Sequence, residues 1–403
     1  SSMSSYLDYR SENYFDISPI GPLLGVTFPE VPSFPPLEFN VLGAKIFSQE
    51  LNLTSKQGGP WSWTAGASYR DAKSELNQAF LGLDNTDESK SFAVFGELSR
   101  RFFGDRLQWT VGLRYFNDDE STTDNQPPPG VTADHFTASF DSTTPRVVLT
   151  WFADQDLTLY TSYSQGFRSG FGQQPVVLQA APEFPPVKPD KLNNYEIGAK
   201  GSLWDRRVSF DAAVYYIKWN DVQQSLTVLY QGASFGAFVN AQSASGVGAE
   251  FAVSTQPVEG LVLALDFGWN DLTFDKDVVS ADGVLFGQGQ RLSRSPEYTA
   301  GGSIQYSMPL GGDGYRGKFA LSGNYTSAME NGILNGAVVR ASDMFISRAS
   351  FSVEAPAHWS AMAYVDNLNG YDRSPFPEFP GLDEWNDRIR PRTFGLQVDY
   401  HLK

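Results

Sequence analysis

Apolar and polar residues alternate with a period of two in run after run along this 403-residue chain. Leu107, Trp109, Val111, Leu113 and Tyr115 alternate with Gln108, Thr110, Gly112 and Arg114. Leu261, Leu263, Leu265, Phe267 and Trp269 alternate with Val262, Ala264, Asp266 and Gly268, and near the end Phe394, Leu396, Val398, Tyr400 and Leu402 with Gly395, Gln397, Asp399 and His401. A period of two belongs to strands whose faces meet different surroundings, and no helical period competes with it. Similar runs lie at 44–54, 60–72, 90–102, 143–152, 156–168, 194–202, 206–219, 244–256, 296–308, 316–327, 343–354 and 357–367. With a first strand near 3–11 they predict about sixteen strands, many longer than the common five or six residues.

The connections alternate in kind. Short ones rich in turn residues lie at 56–60, 103–105, 154–156, 204–206, 257–260, 311–314 and 355–357. Between them come long, irregular ones rich in Pro, Gly, Asn and Asp, at 12–43, 73–89, 117–142, 169–190, 220–243, 271–295, 328–342 and 368–390. Long hairpins with tight turns at one end and long loops at the other match an outer-membrane barrel, turns in the periplasm and loops outside. The spacing of about fifty residues also suits a kelch-like propeller. A propeller needs four short strands per period, whereas each period here holds two long ones.

One face of these strands suits lipid. The apolar sets carry no charge over mid-strand, while Arg114, Arg168, Glu196, Lys200, Asp211, Glu250, Asp266 and Arg348 fall on the other face. A charge facing lipid at mid-membrane costs about 2–4 kcal/mol, and far less in a polar lumen. Trp61, Trp109, Trp151, Trp204 and Trp359 lie near the short turns, and Tyr115, Tyr163, Tyr216 and Trp269 toward the long loops. They read as two interfacial girdles. A soluble β-sandwich has the same totals but no reason to gather aromatic residues at strand ends.

Composition sharpens the picture in a few places. Aromatic residues make up 14% of the chain, which favours strands. A mean hydropathy of -0.30 and the lack of an apolar stretch of about 18 residues exclude a bundle of membrane helices, but not a barrel. A net charge of -16 leaves nothing to neutralise nucleic-acid phosphates. With no cysteine, disulfides, thiol catalysis and thiolate metal sites fall away together. No leader is recognisable, and the chain opens at Ser1 in what already reads as a strand, as expected of a portion of a longer or processed protein.

Several segments resemble the barrel of TonB-dependent receptors. They are Lys90 to Leu98 with Leu107 to Tyr115, then Leu159 to Gly170, and Val187 to Lys200, where Asp190 replaces the first Glu of a P-E-…-E-x-G-x-K strand. Tyr364 to Leu368 resembles an x-N-L-x-D element, and Arg392 to Tyr400 the closing strand. The likeness spreads from about Phe47 onward. It implies one all-β, antiparallel transmembrane domain over residues 1–403, carrying about sixteen strands of a 22-stranded barrel. It further implies a plug and a TonB-engaging box, which with the first strands would lie upstream. The expected location is the bacterial outer membrane, among lipid and lipopolysaccharide. The expected function is TonB-dependent uptake of a scarce, bulky ligand such as a ferric siderophore, vitamin or glycan. One departure is Leu402, followed by Lys403, where the family ends on an aromatic residue.

Catalytic chemistry is poorly served. The three histidines, His135, His358 and His401, have no zinc-site spacing. Gly232 to Gly236 matches G-x-S-x-G, but that pattern needs a strand-to-helix elbow and lies here in an expected loop. No enzyme, cofactor or metal site is expected. Acidic clusters at 84–88, 118–120 and 383–387 read first as solvated loops, with divalent-cation binding beside lipopolysaccharide as the alternative. Ligand binding falls to the outer loops and upper lumen. The candidates are Arg168, Phe171, Gln173, Trp219, Asn220, Phe376, Phe379 and Trp385, Arg for an anionic group and the rings for stacking. Each has the alternative role of packing loops together. A passive porin and a soluble β-rich binding protein remain the competing functions.

Overall fold

The computed structural model describes residues 1–16, 37–56, 58–78, 83–126, 135–174, 177–178, 181, 184–230, 233–280, 283–312, 314–333, 338–356, 358–374 and 389–400. Sixteen strands form one antiparallel sheet. Its first six are β1 (Ser2–Asp16), β2 (Leu37–Thr54), β3 (Trp61–Gln78), β4 (Leu83–Phe102), β5 (Leu107–Asp124) and β6 (His135–Phe152). The wall continues through β7 (Leu157–Arg168), β8 (Asp190–Leu203) and β9 (Val208–Asn220), then β12 (Ser243–Val258), β13 (Leu261–Phe274), β16 (Tyr298–Pro309) and β17 (Arg316–Thr326). β20 (Met344–Glu354), β21 (Trp359–Asp366) and β22 (Thr393–Tyr400) complete it. Each strand pairs with its neighbours in this order, and among the described residues β1 and β22 are each paired on one side. The strands missing from the order lie in outer connections: β10 (Gln223–Tyr230), β11 (Ala233–Asn240), β14 (Val278–Ser280), β15 (Gly283–Phe286), β18 (Glu330–Ile333) and β19 (Val338–Arg340).

The sixteen-strand expectation holds, and so do the short turns at 103–105, 154–156, 204–206 and 257–260. In Phe103-Gly-Asp105 and Trp204-Asp-Arg206 all three residues take positive φ, which reverses the chain within three positions. Gly260, at φ 81°, admits no side chain, because a Cβ there would lie 2.2 Å from the Ser307 carbonyl oxygen.

Pairing separates the faces as the alternation required. Val111, Leu113, Ile197, Val214, Phe351 and Leu396 are exposed on the outer face. Ring contacts line both margins of that face. Trp61 meets Trp109 at 5.9 Å and Tyr315 meets Trp359 at 6.3 Å near the turns, while Phe92 meets Tyr115 at 5.9 Å and Phe267 meets Tyr298 at 6.2 Å toward the loops.

The expected loops at 73–89 and 117–142 are largely strand. β3 and β4 pair from Trp61–Arg100 up to Gln78–Leu83, and β5 and β6 up to Thr123–His135. Past the girdle polar residues occupy both faces, so alternation fades while the backbone ladder carries on. The connections at 220–243, 271–295 and 328–342 are also more ordered than expected. β10 pairs with β11, β18 with β19, and β10 lies parallel to β18 through Leu226–Gly332 and Thr227–Ile333. Separate loops are thus welded into a cap with a hydrophobic core that includes Val177, Phe184, Val222, Leu226, Val228, Phe274, Leu285 and Phe286.

Candidate functional site

The cap joins the wall where β7 ends and β8 begins. Asp190, 2% exposed, faces Arg168 across the hairpin. Its carboxylate accepts from Arg168 Nε at 3.1 and 3.0 Å, from Arg168 Nη2, and from the Gln223 backbone N–H at 3.1 Å. Arg168 Nη2 also donates to the Gln223 carbonyl at 3.2 Å, and the guanidinium lies 4.8 Å from the Trp219 ring centre. Gln223 Nε2 in turn donates to the Ser169 and Lys188 carbonyls at 2.7 and 3.0 Å. A charge taken out of water needs such a full set of partners, and this one has them.

The neighbouring loop is fastened in the same manner. Gln173 Nε2 donates to the carbonyls of Pro185 and Phe238 at 3.1 and 2.5 Å. Phe171 bridges to Val187 through the backbone and sets its ring edge-on to Phe238 at 5.2 Å. Asn240 accepts from the Lys188 N–H at 2.7 Å and donates to the Lys188 carbonyl at 2.9 Å.

Four of the sequence candidates, Arg168, Phe171, Gln173 and Trp219, therefore do come together; Arg168 and Gln173 hydrogen-bond within the protein, whereas the buried Trp219 Nε1 has no partner among the described residues. Asn220 closes β9 opposite Lys191 and Ser243. Phe376, Phe379 and Trp385 lie outside the described residues, as do Leu402, Lys403 and the acidic cluster at 383–387. Sequence reasoning missed Asp190, Gln223 and Asn240 as the fastening partners. Only Asp190 left a signal, as the acid that mirrors Arg168 across the loop.

Beneath the cap the inner face of β7, β8, β9, β12 and β13 is acidic. The Tyr160 hydroxyl donates to Glu196 at 2.5 Å, and Lys200 meets Asp211 at 2.7 Å. With Glu250 and Asp266 they line a recess of about 420 Å3, four carboxylates against one lysine. Glycine lets the rings lie flat on this wall: a Cβ on Gly198 or Gly248 would come within 2.4 Å of Tyr160 or 2.2 Å of Tyr215. On β4–β6 the inner face differs. Arg146 pairs with Glu97 at 2.6 Å, and Arg114 lies between the Phe95 and Phe116 rings at 5.9 and 5.6 Å.

A second fastening ties the cap's loop to β5. Asp118, 5% exposed, accepts from the Ser89 and Ser169 hydroxyls at 2.8 and 2.6 Å. Beside it Glu120, well past the Tyr115 girdle, has its pKa pushed up to about 7 by burial, then by the charge and hydrogen bond of Asp118. Gly170 packs against Phe140 so closely that a Cβ would lie 2.8 Å from its ring.

Residues 233–236 of the G-x-S-x-G match begin strand β11 rather than an elbow. Among the described residues no group of three or more His, Asp or Glu is placed to hold a metal ion.

Residues 3–368 match the family model described as TonB dependent receptor-like, β-barrel. Solved structures with the same fold include the ferric yersiniabactin uptake receptor FyuA from Yersinia pestis, at TM-score 0.70 and 18% identity, matching 91% of this chain and 56% of that one. The copper transporter OprC aligns at TM-score 0.68 and 15% identity, over 99% of this chain and 61% of its own. The ferric-catecholate import receptor Fiu from E. coli K12 aligns at TM-score 0.68 and 14% identity, over 98% and 60%. The chain thus spans 56–61% of the length of these receptors.

Proposed function

The chain belongs to the TonB dependent receptor-like β-barrel family, and from that premise we propose that it forms the wall and outer loops of an outer-membrane receptor for active uptake of a scarce, bulky ligand. The observation that carries this reading is the cap. Outer connections share one hydrophobic core and cross-loop strand pairing, which suits a guarded entrance rather than an open pore. A passive porin needs an unobstructed mouth, so the cap disfavours it. The names of the similar receptors, concerned with ferric yersiniabactin, ferric catecholate and copper, favour a metal ion or metal chelate over a glycan as cargo. Coupling to the TonB complex would use a region outside the residues of this chain.

Within this reading Phe376, Phe379, Trp385 and Asn220 remain candidates for ligand contact. Arg168 acts as a positioning residue, because its Nε and Nη2 are engaged by Asp190 and Gln223. The acidic inner wall would face a cationic surface of whatever fills the lumen.

The test is cellular accumulation of candidate ferric chelates by the full-length receptor, with and without a protonophore. Accumulation against a gradient that collapses with the protonophore is expected. Free passage of small sugars into liposomes carrying the receptor, indifferent to the protonophore, would establish the porin instead.

A further inference from the structure

One seam of the wall opens above the girdle, between β6 and β7. These two strands pair from Phe152–Thr158 only as far as Arg146–Ser164, whereas β5 and β6 stay paired up to Thr123–His135. The upper half of β6, from His135 to Pro145, thus has β5 on one side and, among the described residues, no strand on the other. The neighbouring extensions of β3, β4 and β5 are paired on both sides. The 169–173 segment lies on the inner face of β6, where a Cβ on Gly170 or Gly172 would meet the Phe140 or Phe136 ring at 2.8 or 3.0 Å. Its backbone bridges to Val187 and not to β6.

The groups along this edge follow from the ladder. The Phe152 N–H donates to Arg106 on the β5 side, and the Ala153 N–H to Leu157 on the β7 side. The β5–β6 register runs without a shift up to His135. Even-numbered residues of β6 therefore bond toward β5, and odd-numbered ones face the side that β7 leaves. The N–H and C=O groups of Thr137, Ser139, Asp141 and Thr143 point into that space. Pro145 stands where pairing with β7 stops, at a position whose missing N–H costs the β5 ladder nothing. Thr143 lies opposite Tyr115 of the girdle, so the edge beyond it stands clear of lipid. From His135 to Thr143 it is about 30 Å long at 3.4 Å per residue, and it carries neither the lysine nor the bulge that commonly blunts a free edge.

Charge says what suits the edge. Beside it lies an open recess of about 530 Å3, lined by Glu88, Lys90, Asp119, Glu120, Thr137 and Ser139. Three carboxylates there meet one lysine, with Lys73 reaching Glu88 from the far side at 3.9 Å, and the exposed Asp141 adds a fourth on the edge strand itself. We propose that the upper edge of β6 is a docking site for an extended segment of an extracellular protein, rich in lysine or arginine, which adds to the wall as a strand in the place that β7 leaves. Main-chain hydrogen bonds to Thr137, Ser139, Asp141 and Thr143 hold the segment, and its outward basic side chains lie along the recess. The proposal goes beyond the uptake reading and does not depend on it.

The test titrates the full-length receptor in nanodiscs with three fluorescent nine-residue peptides. One alternates lysine and valine, the second is the same peptide N-methylated at every residue, and the third alternates glutamate and valine. The lysine peptide is expected to bind at least tenfold tighter than either of the others. Its binding should slow amide exchange at Thr137, Ser139, Asp141 and Thr143 at least tenfold, while the even-numbered amides of β6, already in the ladder, change little. Ser139→Pro removes an edge N–H without touching the β5 ladder, and Asp119→Lys reverses a charge in the recess. Each should weaken the lysine peptide at least tenfold. Equal binding of the N-methylated peptide would reduce the site to charge attraction and overturn strand addition. Slow exchange at the four edge amides before any peptide is added would show that the receptor's own chain already covers the edge, which overturns the proposal as well.

Discussion

The first six strands and the rest of the wall solve the same problem in opposite ways. β1–β6 run for 15–20 residues, whereas the wall strands from β7 onward run for 8–16. About 9–11 residues suffice to cross a membrane. In β3–β6 the surplus stays in the ladder and carries water-facing charges such as Lys73, Glu75 and Glu88. At about 3.4 Å per residue it reaches roughly 20 Å beyond the lipid once strand tilt is included. In the later part the strands stop early and the connecting chain folds onto itself, burying Phe274, Phe286, Leu226 and Val222. Backbone groups outside the membrane can be satisfied by prolonging a ladder or by building a small core. The second solution joins loops distant in sequence and so makes one folded body.

Removing the cap's core should have the largest effect. Phe274 is 1% exposed and stacks on Phe286 at 4.9 Å. Phe274→Ala is expected to cost the cap about 3–5 kcal/mol. Limited proteolysis should then nick residues 223–240 and 330–340 together while β3–β6 stay intact. Nicking of only one of the two segments would show that the loops are independent.

The cap was the least legible part of the sequence. The wall strands announce themselves because lipid on one side and a polar interior on the other enforce alternation, as at Leu107 to Tyr115. Gln223 to Tyr230 holds only short apolar stretches, and its partner Ile333 lies about a hundred residues away, beyond the reach of any local pattern. The strand extensions at 73–89 and 117–142 were hidden for the reverse reason, since polar residues on both faces erase the alternation. Candidate residues near the cap were legible as a place but not as a role. Arg168 and Gln173 look free in the sequence and are engaged in the fold, and the partner that occupies Arg168 is visible only across a hairpin.

Asp190→Asn is expected to have a smaller effect, about 1–3 kcal/mol, because Arg168 is half exposed and can regain water while the Gln223 N–H keeps an acceptor. Ligand affinity should fall together with faster proteolysis of 184–190. Loss of affinity with unchanged proteolysis would make the pair a direct ligand contact.

The smallest effect concerns the joint between the two regions, at Asp118, Glu120 and Ser169. Besides Asp118 and Ser89, Arg70 on β3 acts on Glu120, lowering its pKa, while the β6 residue opposite is Ala138. The folded pKa of about 7 lies above the ordinary 4.5, so the folded joint binds the proton more tightly than the unfolded chain does. Stability at the joint is therefore fullest below about pH 4.5 and declines as pH rises toward 7. Glu120 is only half buried, so solvent screening reduces the change to about 1 kcal/mol. Spin labels on β5 and the 169–173 loop should report a wider separation at pH 8 than at pH 5, and Glu120→Gln should hold the closed distance at both. A distance insensitive to pH in the unsubstituted protein would remove the joint from the list of pH-responsive elements.

The most direct test of the account is hydrogen exchange on the full-length receptor in nanodiscs, comparing the wall with the cap. Slow exchange throughout the wall is expected, together with a single shared opening rate for amides in β10, β11, β18 and the 184–190 segment. Fast, mutually independent exchange in those segments would contradict the cap as one folded body.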